Sequence, residues 1–139
     1  MEKLAQTQWK EGMAFEAQAN GHTIMMDAAD ASGGKNLGPR SKPLLLVALA
    51  GCTSMDVVSM LRKMKVTPDD FKVETYAESS GEHPKYYEKI KVKYIFKGEN
   101  LDRKKIEKAV NLSQDKYCAV SYMLGKAAQI THEIEILDR

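Results

Sequence analysis

The organisation of the chain centres on the apolar stretch PLLLVALAGCTSMDVVSMLRK, residues 43–63. Ser41 is a suitable N-cap, and Pro43 falls in the first turn, where its missing N–H costs little. The helix is predicted to run to about Met64. Its first half is apolar on every side, which favours burial all round, and its second half turns polar at Arg62 and Lys63. Its uncharged part, residues 43–55, is shorter than the roughly 20 apolar residues of a membrane-spanning helix. The sequence therefore predicts a core helix.

Strand patterns flank this helix on both sides. Before it, three short runs are separated by Glu11-Gly12 and by Asn20-Gly21. Asn-Gly is a strong hairpin signal, because a type I′ turn needs positive φ at both positions. After it, two long alternating segments are followed by two helical segments and a closing strand. The order β-β-β-α-β-β-α-α-β predicts one α+β domain over residues 1–139, with largely antiparallel sheets wrapped around the central helix.

In each of the three later strands, mostly apolar residues at alternate positions are predicted to share one face. The residues that alternate onto these faces are Phe71, Val73 and Thr75, then Ile90, Val92, Tyr94 and Phe96, then Ile130, His132, Ile134 and Ile136.

The composition excludes several classes of protein. The net charge is +2, from 21 basic and 19 acidic residues that are dispersed along the chain. This balance argues against a nucleic-acid or membrane partner. The N-terminus lacks the apolar core of a signal peptide, which predicts a cytoplasmic location. His22, His83 and His132 have no metal-ligand spacing, so neither a metal nor a cofactor is expected. A Cys–His hydrolase would need one of them beside a cysteine, and His132 is more simply interpreted as a core histidine.

The two cysteines are the candidate reactive residues. Cys52 lies within the predicted helix, and Cys118 begins a later one, 66 positions along the chain. A helix N-terminus lowers the pKa of a thiol, and two thiols brought together could form a reversible disulfide. Both could instead be small buried hydrophobic residues, which spacing alone favours. Asp56 lies on the same side of the helix as Cys52, and we expect it to pair with a lysine or to face solvent.

Two motifs surround these cysteines at a characteristic separation. The first, PLLLVALAGCTSMDVV (residues 43–58), is a Pro- and Leu-rich helix start that runs into Ala-Gly-Cys. The second is YCAVSYML, residues 117–124. Together they resemble the OsmC/Ohr family of thiol-dependent peroxidases, in which the second block is usually Cys-Pro-(Val/Tyr)-Ser. The resemblance covers nearly the whole chain. It implies an OsmC-like fold and an intertwined homodimer with the active site at the subunit interface.

The resemblance also implies a mechanism. Cys52 would be the peroxidatic thiolate that attacks an organic hydroperoxide, or hydrogen peroxide, and becomes a sulfenic acid. Cys118 would resolve this species to a disulfide. A dithiol reductant, lipoyl-type in the family, would restore both thiols by exchange. The alternative is a non-catalytic dimeric module whose interfacial pocket binds a small apolar or thiol-containing ligand. Retention of both cysteines favours the enzyme.

The chain departs from the family pattern at three points, and the departures at Lys42 and Ala119 favour the binding module. Ala119 replaces the usual proline after the second cysteine, and Lys42 stands where peroxidatic members carry a glutamate. Those members also have an N-terminal arginine that pairs with the glutamate and steadies the thiolate. Near the matching point this chain has Asp27. Arg40, Lys35 and Lys42 are therefore the candidate thiolate-stabilising cations, with Arg40 and Lys42 preferred.

Overall fold

The structure is a computed structural model that describes residues 1–138. In chain order the elements are β1 (Ala5–Glu11), β2 (Ala14–Ala19), β3 (His22–Met26), a 3₁₀ turn (Asp30–Ser32), α1 (Ser41–Lys63), β4 (Asp70–Ser79), β5 (Tyr87–Lys97), α2 (Arg103–Leu112), a π-helical segment (Ser113–Tyr117), α3 (Ala119–Leu124) and β6 (Gln129–Leu137). The predicted order of strands and helices is confirmed, and so is the α+β class. The chain divides into two compact units, Met1–Leu46 and Val47–Arg139, and the expectation of a single domain stays a prediction.

The first unit contains a three-stranded antiparallel sheet in the order β1-β2-β3. Asn20 and Gly21 connect β2 to β3 with φ values of 52° and 77°. Ala19 pairs directly with His22 across this turn. Positive φ at both central positions is the signature of a type I′ turn, so the hairpin predicted from Asn-Gly is confirmed.

Asp27 organises the loop that follows β3. Its carboxylate accepts backbone N–H bonds from Ala28 at 2.7 Å, Lys35 at 3.1 Å and Leu37 at 3.2 Å. Burial pushes the pKa of Asp27 upward, but the three backbone donors and the nearby Arg40 charge outweigh it and lower the pKa. At the point where the family resemblance would place an arginine, this chain therefore uses a buried carboxylate to fix a loop.

The second unit contains the sheet β4-β5-β6. β4 and β5 are antiparallel, as are the strands of the first unit, so the described sheets are largely antiparallel as predicted, and the parallel pairing of β5 with β6 is the exception. Parallel neighbours need a long crossover, and α2, the π-helical segment and α3 supply it. The three predicted strand faces are in register. The aligned pairs are Phe71↔Phe96, Val73↔Tyr94, Thr75↔Val92, Ile90↔Ile130, Val92↔His132, Tyr94↔Ile134 and Phe96↔Ile136.

One chain buries a single face of α1, whereas the sequence predicts burial of its first half on every side. The buried residues are Leu49, Thr53, Val57 and Leu61. They recur every fourth position and form one stripe. Val47 and Met55 are 63% and 74% exposed. By length and composition α1 could also cross a membrane, with a mean hydropathy of 2.0, but the core helices of globular proteins share the same length and composition.

Candidate functional site

The fold brings the two cysteines together. Cys52 is half-buried on α1, and Cys118 is 3% exposed at the N-cap of α3. Their sulfur atoms and a carboxylate oxygen of Asp56 all lie within 4.8 Å of one another. Both cysteines are free thiols. The two residues are 66 positions apart in the sequence, yet the N-cap of α3 brings the Cys118 sulfur next to Cys52 and Asp56 on α1.

The π-helical segment positions Cys118. Its wide turn closes with the Cys118 N–H donating to the carbonyl of Ser113 at 2.8 Å. The chain then leaves the helix at Cys118, and α3 begins at Ala119. The Cys118 sulfur accepts the backbone N–H of Ser121 at 3.4 Å, which caps α3. Single π turns frequently occur at functional sites.

The environment of Cys118 disfavours its thiolate. Burial raises the pKa of Cys118 to about 11, and the Ser121 N–H lowers it by less. Cys52 and Asp56 raise the pKa further, because negative charge on either group opposes a second charge nearby. The N–H at the start of α3 does lower the pKa of Cys118, as expected, but burial outweighs this effect and the net shift is upward. With only six residues, α3 has a weak dipole with which to offset the burial.

Asp56 belongs to the same cluster. It lies one turn after Cys52 on α1, is half-buried, and accepts a hydrogen bond from the Ser113 hydroxyl at 2.9 Å. Within residues 1–138, no lysine or arginine forms an ion pair with it. The expected pairing of Asp56 with a lysine is therefore not found among the described residues, while its half-buried side chain is partly open to solvent, as the other expectation held.

A line of hydrogen-bonded side chains connects Asp56 to Ser121, whose backbone N–H donates to the Cys118 sulfur. In order, the groups are the Asp56 carboxylate, Ser113 Oγ, Thr53 Oγ1, Tyr94 OH, the Gln114 amide and Ser121 Oγ, with separations of 2.9, 2.8, 2.6, 2.5 and 2.7 Å. Within the described chain, every buried side-chain nitrogen and oxygen has a hydrogen-bond partner. Because Ser121 also donates its backbone N–H to Cys118, the two ends of the line meet at the thiol pair.

The direction of these bonds follows from the two ends of the line. A carboxylate only accepts, so Ser113 donates to Asp56. Ser113 has one proton, so it must accept from Thr53, and Thr53 in turn accepts from Tyr94. The Gln114 amide nitrogen donates to Tyr94, which leaves the Tyr94 proton free for Thr53. Burial raises the pKa of Tyr94, which keeps that proton in place.

Sequence reasoning missed four members of this line, namely Thr53, Tyr94, Ser113 and Gln114. One signal was available. Thr53 falls on the same stripe of α1 as Leu49 and Val57, where a polar residue needs a buried partner. That partner, the Tyr94 hydroxyl, lies on a strand face that was identified only for its apolar character.

Arg40, Lys42 and His132 are the remaining candidates from the sequence. Arg40 precedes α1, and its guanidinium donates to the Asn36 side chain at 2.6 Å and to the Gly38 carbonyl at 3.0 Å. Lys42 is in the first turn of α1. The assignment of Arg40 and Lys42 as thiolate-stabilising residues stays a prediction. His132 is exposed, so its interpretation as a core histidine is wrong.

Comparison with known proteins places the chain in a family. The family described as OsmC-like protein matches residues 33–133. Protein YhfA of Escherichia coli strain K12 is 37% identical over 134 residues, which are 96% of this chain and 97% of YhfA. A hypothetical protein from Aquifex aeolicus VF5 is 28% identical, with a TM-score of 0.82 over 99% of this chain and 100% of that chain. The organic hydroperoxide resistance protein OhrB of Bacillus subtilis shares the fold, with 17% identity and a TM-score of 0.62 over 96% of this chain and 98% of that chain. As the two cysteine motifs predicted, the chain belongs to the OsmC-like family.

Proposed function

We propose that this protein is a thiol-dependent reductase of organic hydroperoxides, with Cys52 as the peroxidatic residue and Cys118 as the resolving residue. The observation that carries the proposal is the meeting of two free thiols within 4.8 Å. A protein that only binds a ligand has no need for such a pair. The fold shared with a protein named for organic hydroperoxide resistance supports the same substrate class.

The difference between the two thiols supports their order of action. Cys52 is half-buried and Cys118 is 3% exposed, so a peroxide reaches Cys52 more easily. The raised pKa of Cys118, about 11, keeps its sulfur protonated at neutral pH, and a protonated thiol is a poor nucleophile toward peroxide. Cys118 is better suited to the second step, in which the electrophilic sulfur of Cys52 lies beside it.

The proposed cycle has three balanced steps. The Cys52 thiolate attacks the terminal oxygen of the hydroperoxide, the O–O bond breaks, and the alkoxide leaves and takes up a proton to become an alcohol. The Cys118 sulfur then attacks the sulfenic acid of Cys52, so that a disulfide forms and water leaves with the Cys118 proton. An external dithiol of the lipoyl type reduces this disulfide by exchange and becomes a disulfide itself. Two electrons pass from the dithiol to the peroxide.

The test compares the wild type with its two single-cysteine variants after one equivalent of cumene hydroperoxide. We expect the wild type to lose both thiols and to form an intramolecular disulfide. Cys52→Ser should abolish peroxide consumption. Cys118→Ser should permit one oxidation and leave a sulfenic acid that a sulfenate reagent traps and that is prone to overoxidation. Multiple turnover is then followed in the presence of dihydrolipoamide.

Two results would contradict the proposal. If all three proteins consume peroxide no faster than a free thiol in solution, the cysteines are inert, and the non-catalytic binding module becomes the better interpretation. If the two single-cysteine variants react equally fast, the sulfurs are interchangeable and the assigned roles are wrong.

A further inference from the structure

The cluster of Cys52, Asp56 and Cys118 has the composition of a metal site. The two cysteine sulfurs and one Asp56 carboxylate oxygen lie within 4.8 Å of one another. Cys52 and Asp56 are four residues apart on α1, so they project from the same side of the helix. Helical metal sites often take two ligands at this spacing. Cys118 approaches from a different element, the N-cap of α3, and supplies the third donor.

The donor set fits Zn²⁺. Zinc accepts cysteine sulfur at about 2.3 Å and carboxylate oxygen at about 2.0–2.2 Å, in a tetrahedral arrangement. These bond lengths separate neighbouring ligand atoms by about 3.5–3.8 Å. The observed spread of up to 4.8 Å thus closes with small side-chain rotations. Three protein ligands leave a fourth position for water, and two sulfur donors favour zinc over magnesium or calcium.

Neighbouring groups donate hydrogen bonds to two of the three ligands. The Ser113 hydroxyl donates to the Asp56 carboxylate, and the Ser121 N–H donates to the Cys118 sulfur. Hydrogen bonds of this kind orient metal ligands, and their loss weakens binding. Asp56 has no ion pair with any basic residue among residues 1–138, so no side-chain ammonium or guanidinium is paired with the carboxylate that would face the metal.

We propose that Cys52, Asp56 and Cys118 bind one Zn²⁺ reversibly and that the bound metal withholds both thiols from oxidation. Each thiol must lose its proton to bind, so one Zn²⁺ displaces up to two protons and no electron is transferred. This site goes beyond the proposed peroxidase function, because metal binding needs neither peroxide nor reductant. It adds a state in which the thiol pair is reduced and unreactive.

The experiment uses the reduced full-length protein with two probes. Co²⁺ reports ligand type, and Zn²⁺ affinity is measured in competition with a chromophoric chelator. We expect one metal per chain, the visible bands of tetrahedral Co²⁺, and a thiolate-to-cobalt band in the near ultraviolet. Cys52→Ser and Cys118→Ser should each reduce that band by about half. Asp56→Asn should weaken Zn²⁺ binding by about tenfold or more.

Two further variants serve as controls. Asp115→Asn removes an exposed carboxylate three residues before Cys118 and should leave Zn²⁺ affinity unchanged. Asp56→Glu keeps the negatively charged carboxylate, whereas Asp56→Asn offers only a neutral amide oxygen, so Asp56→Glu should retain more affinity, which separates loss of the ligand charge from misfolding. Bound Zn²⁺ should also slow thiol alkylation, and a chelator should restore the rate.

Absence of a thiolate-to-cobalt band would overturn the proposal, and so would wild-type Zn²⁺ affinity in Asp56→Asn. The outcome is separable from that of the peroxide test. A protein that binds the metal and never consumes peroxide contradicts the peroxidase alone, whereas one that turns over peroxide without binding the metal contradicts the zinc site alone.

Discussion

At the scale of single residues, Cys118 is the group most altered by its surroundings. Its pKa is raised from 9.0 to about 11 by burial first, with Cys52 and Asp56 adding to the effect. A raised thiol pKa means that the folded protein holds this proton more tightly than the unfolded chain does. The stability that comes from the neutral thiol is present below pH 9 and is lost as the pH rises from about 9 to about 11.

The pKa of Cys118 can be measured in Cys52→Ser, where it is the only thiol. The pH dependence of the thiolate absorbance gives the pKa. In the folded variant we expect this pKa to lie above the ordinary value of 9.0, because burial is the largest cause of the shift and remains in the variant. Adding Asp56→Asn should lower this pKa, since a negative neighbour is removed. The same variant in denaturant provides the reference. A folded value at or below that reference would contradict the described environment.

At the scale of elements, α1, β5 and the π-helical segment are joined by hydroxyl groups as well as by apolar packing. Thr53 on α1 stands between Tyr94 on β5 and Ser113 on the π-helical segment, at 2.6 and 2.8 Å. All three residues are almost completely buried. Loss of the central hydroxyl would therefore leave the buried Tyr94 proton without its acceptor and would remove the donor to Ser113 Oγ, although Gln114 would still donate to Tyr94 and Ser113 would still donate to Asp56.

Thr53→Val tests this junction with little change in volume. We expect a loss of about 1–3 kcal/mol in the free energy of unfolding, measured by denaturant titration. Tyr94→Phe should also destabilise the fold, and the double variant should lose less than the sum, because the two changes remove one shared bond. Thr67→Val, at an exposed position after α1, is the matched control and should change stability by less than about 0.5 kcal/mol. Strict additivity of the pair would argue against the shared bond.

Local patterns in the sequence predicted the elements better than their arrangement. The extent of α1, the Asn20-Gly21 turn and the strand faces each depend on residues close in sequence, and each is confirmed. The direction of β6 depends on the crossover that precedes it, which strand patterning does not reveal. The π-helical segment adds one residue to a turn without a compositional signal. The line from Asp56 to Ser121 depends on four elements meeting, namely α1, β5, the π-helical segment and α3, so single-sequence periodicity could not identify it.

At the scale of the whole molecule, α1 leaves apolar surface uncovered in one chain. Val47, Met55 and Val58 are 63%, 74% and 40% exposed. We propose that a second copy of the chain covers this surface in a homodimer. A bilayer is a poorer partner, because a carboxylate such as Asp56 within the helix is costly in hydrocarbon.

Light scattering after size-exclusion chromatography tests the dimer. The wild type should have twice the 15.6 kDa mass of the chain at micromolar concentration. Met55→Lys should shift the protein toward the monomer, because it places a charge on the covered surface. Met55→Leu keeps the surface apolar and should remain dimeric. A wild-type monomer would rule out the assembly.

The one-way order of hydrogen bonds in the core has an electrical consequence. The O–H bonds of Tyr94, Thr53 and Ser113 all point toward Asp56, so their dipoles add head to tail. The row presents its positive end to the carboxylate, much as a helix presents its N-terminus to an anion. Asp56, beside the thiol pair, therefore lies at the positive end of an aligned row of dipoles. Cys118 instead lies at the N-terminus of a helix of only six residues. Two sulfurs that are chemically identical in the sequence thus stand in an asymmetric field.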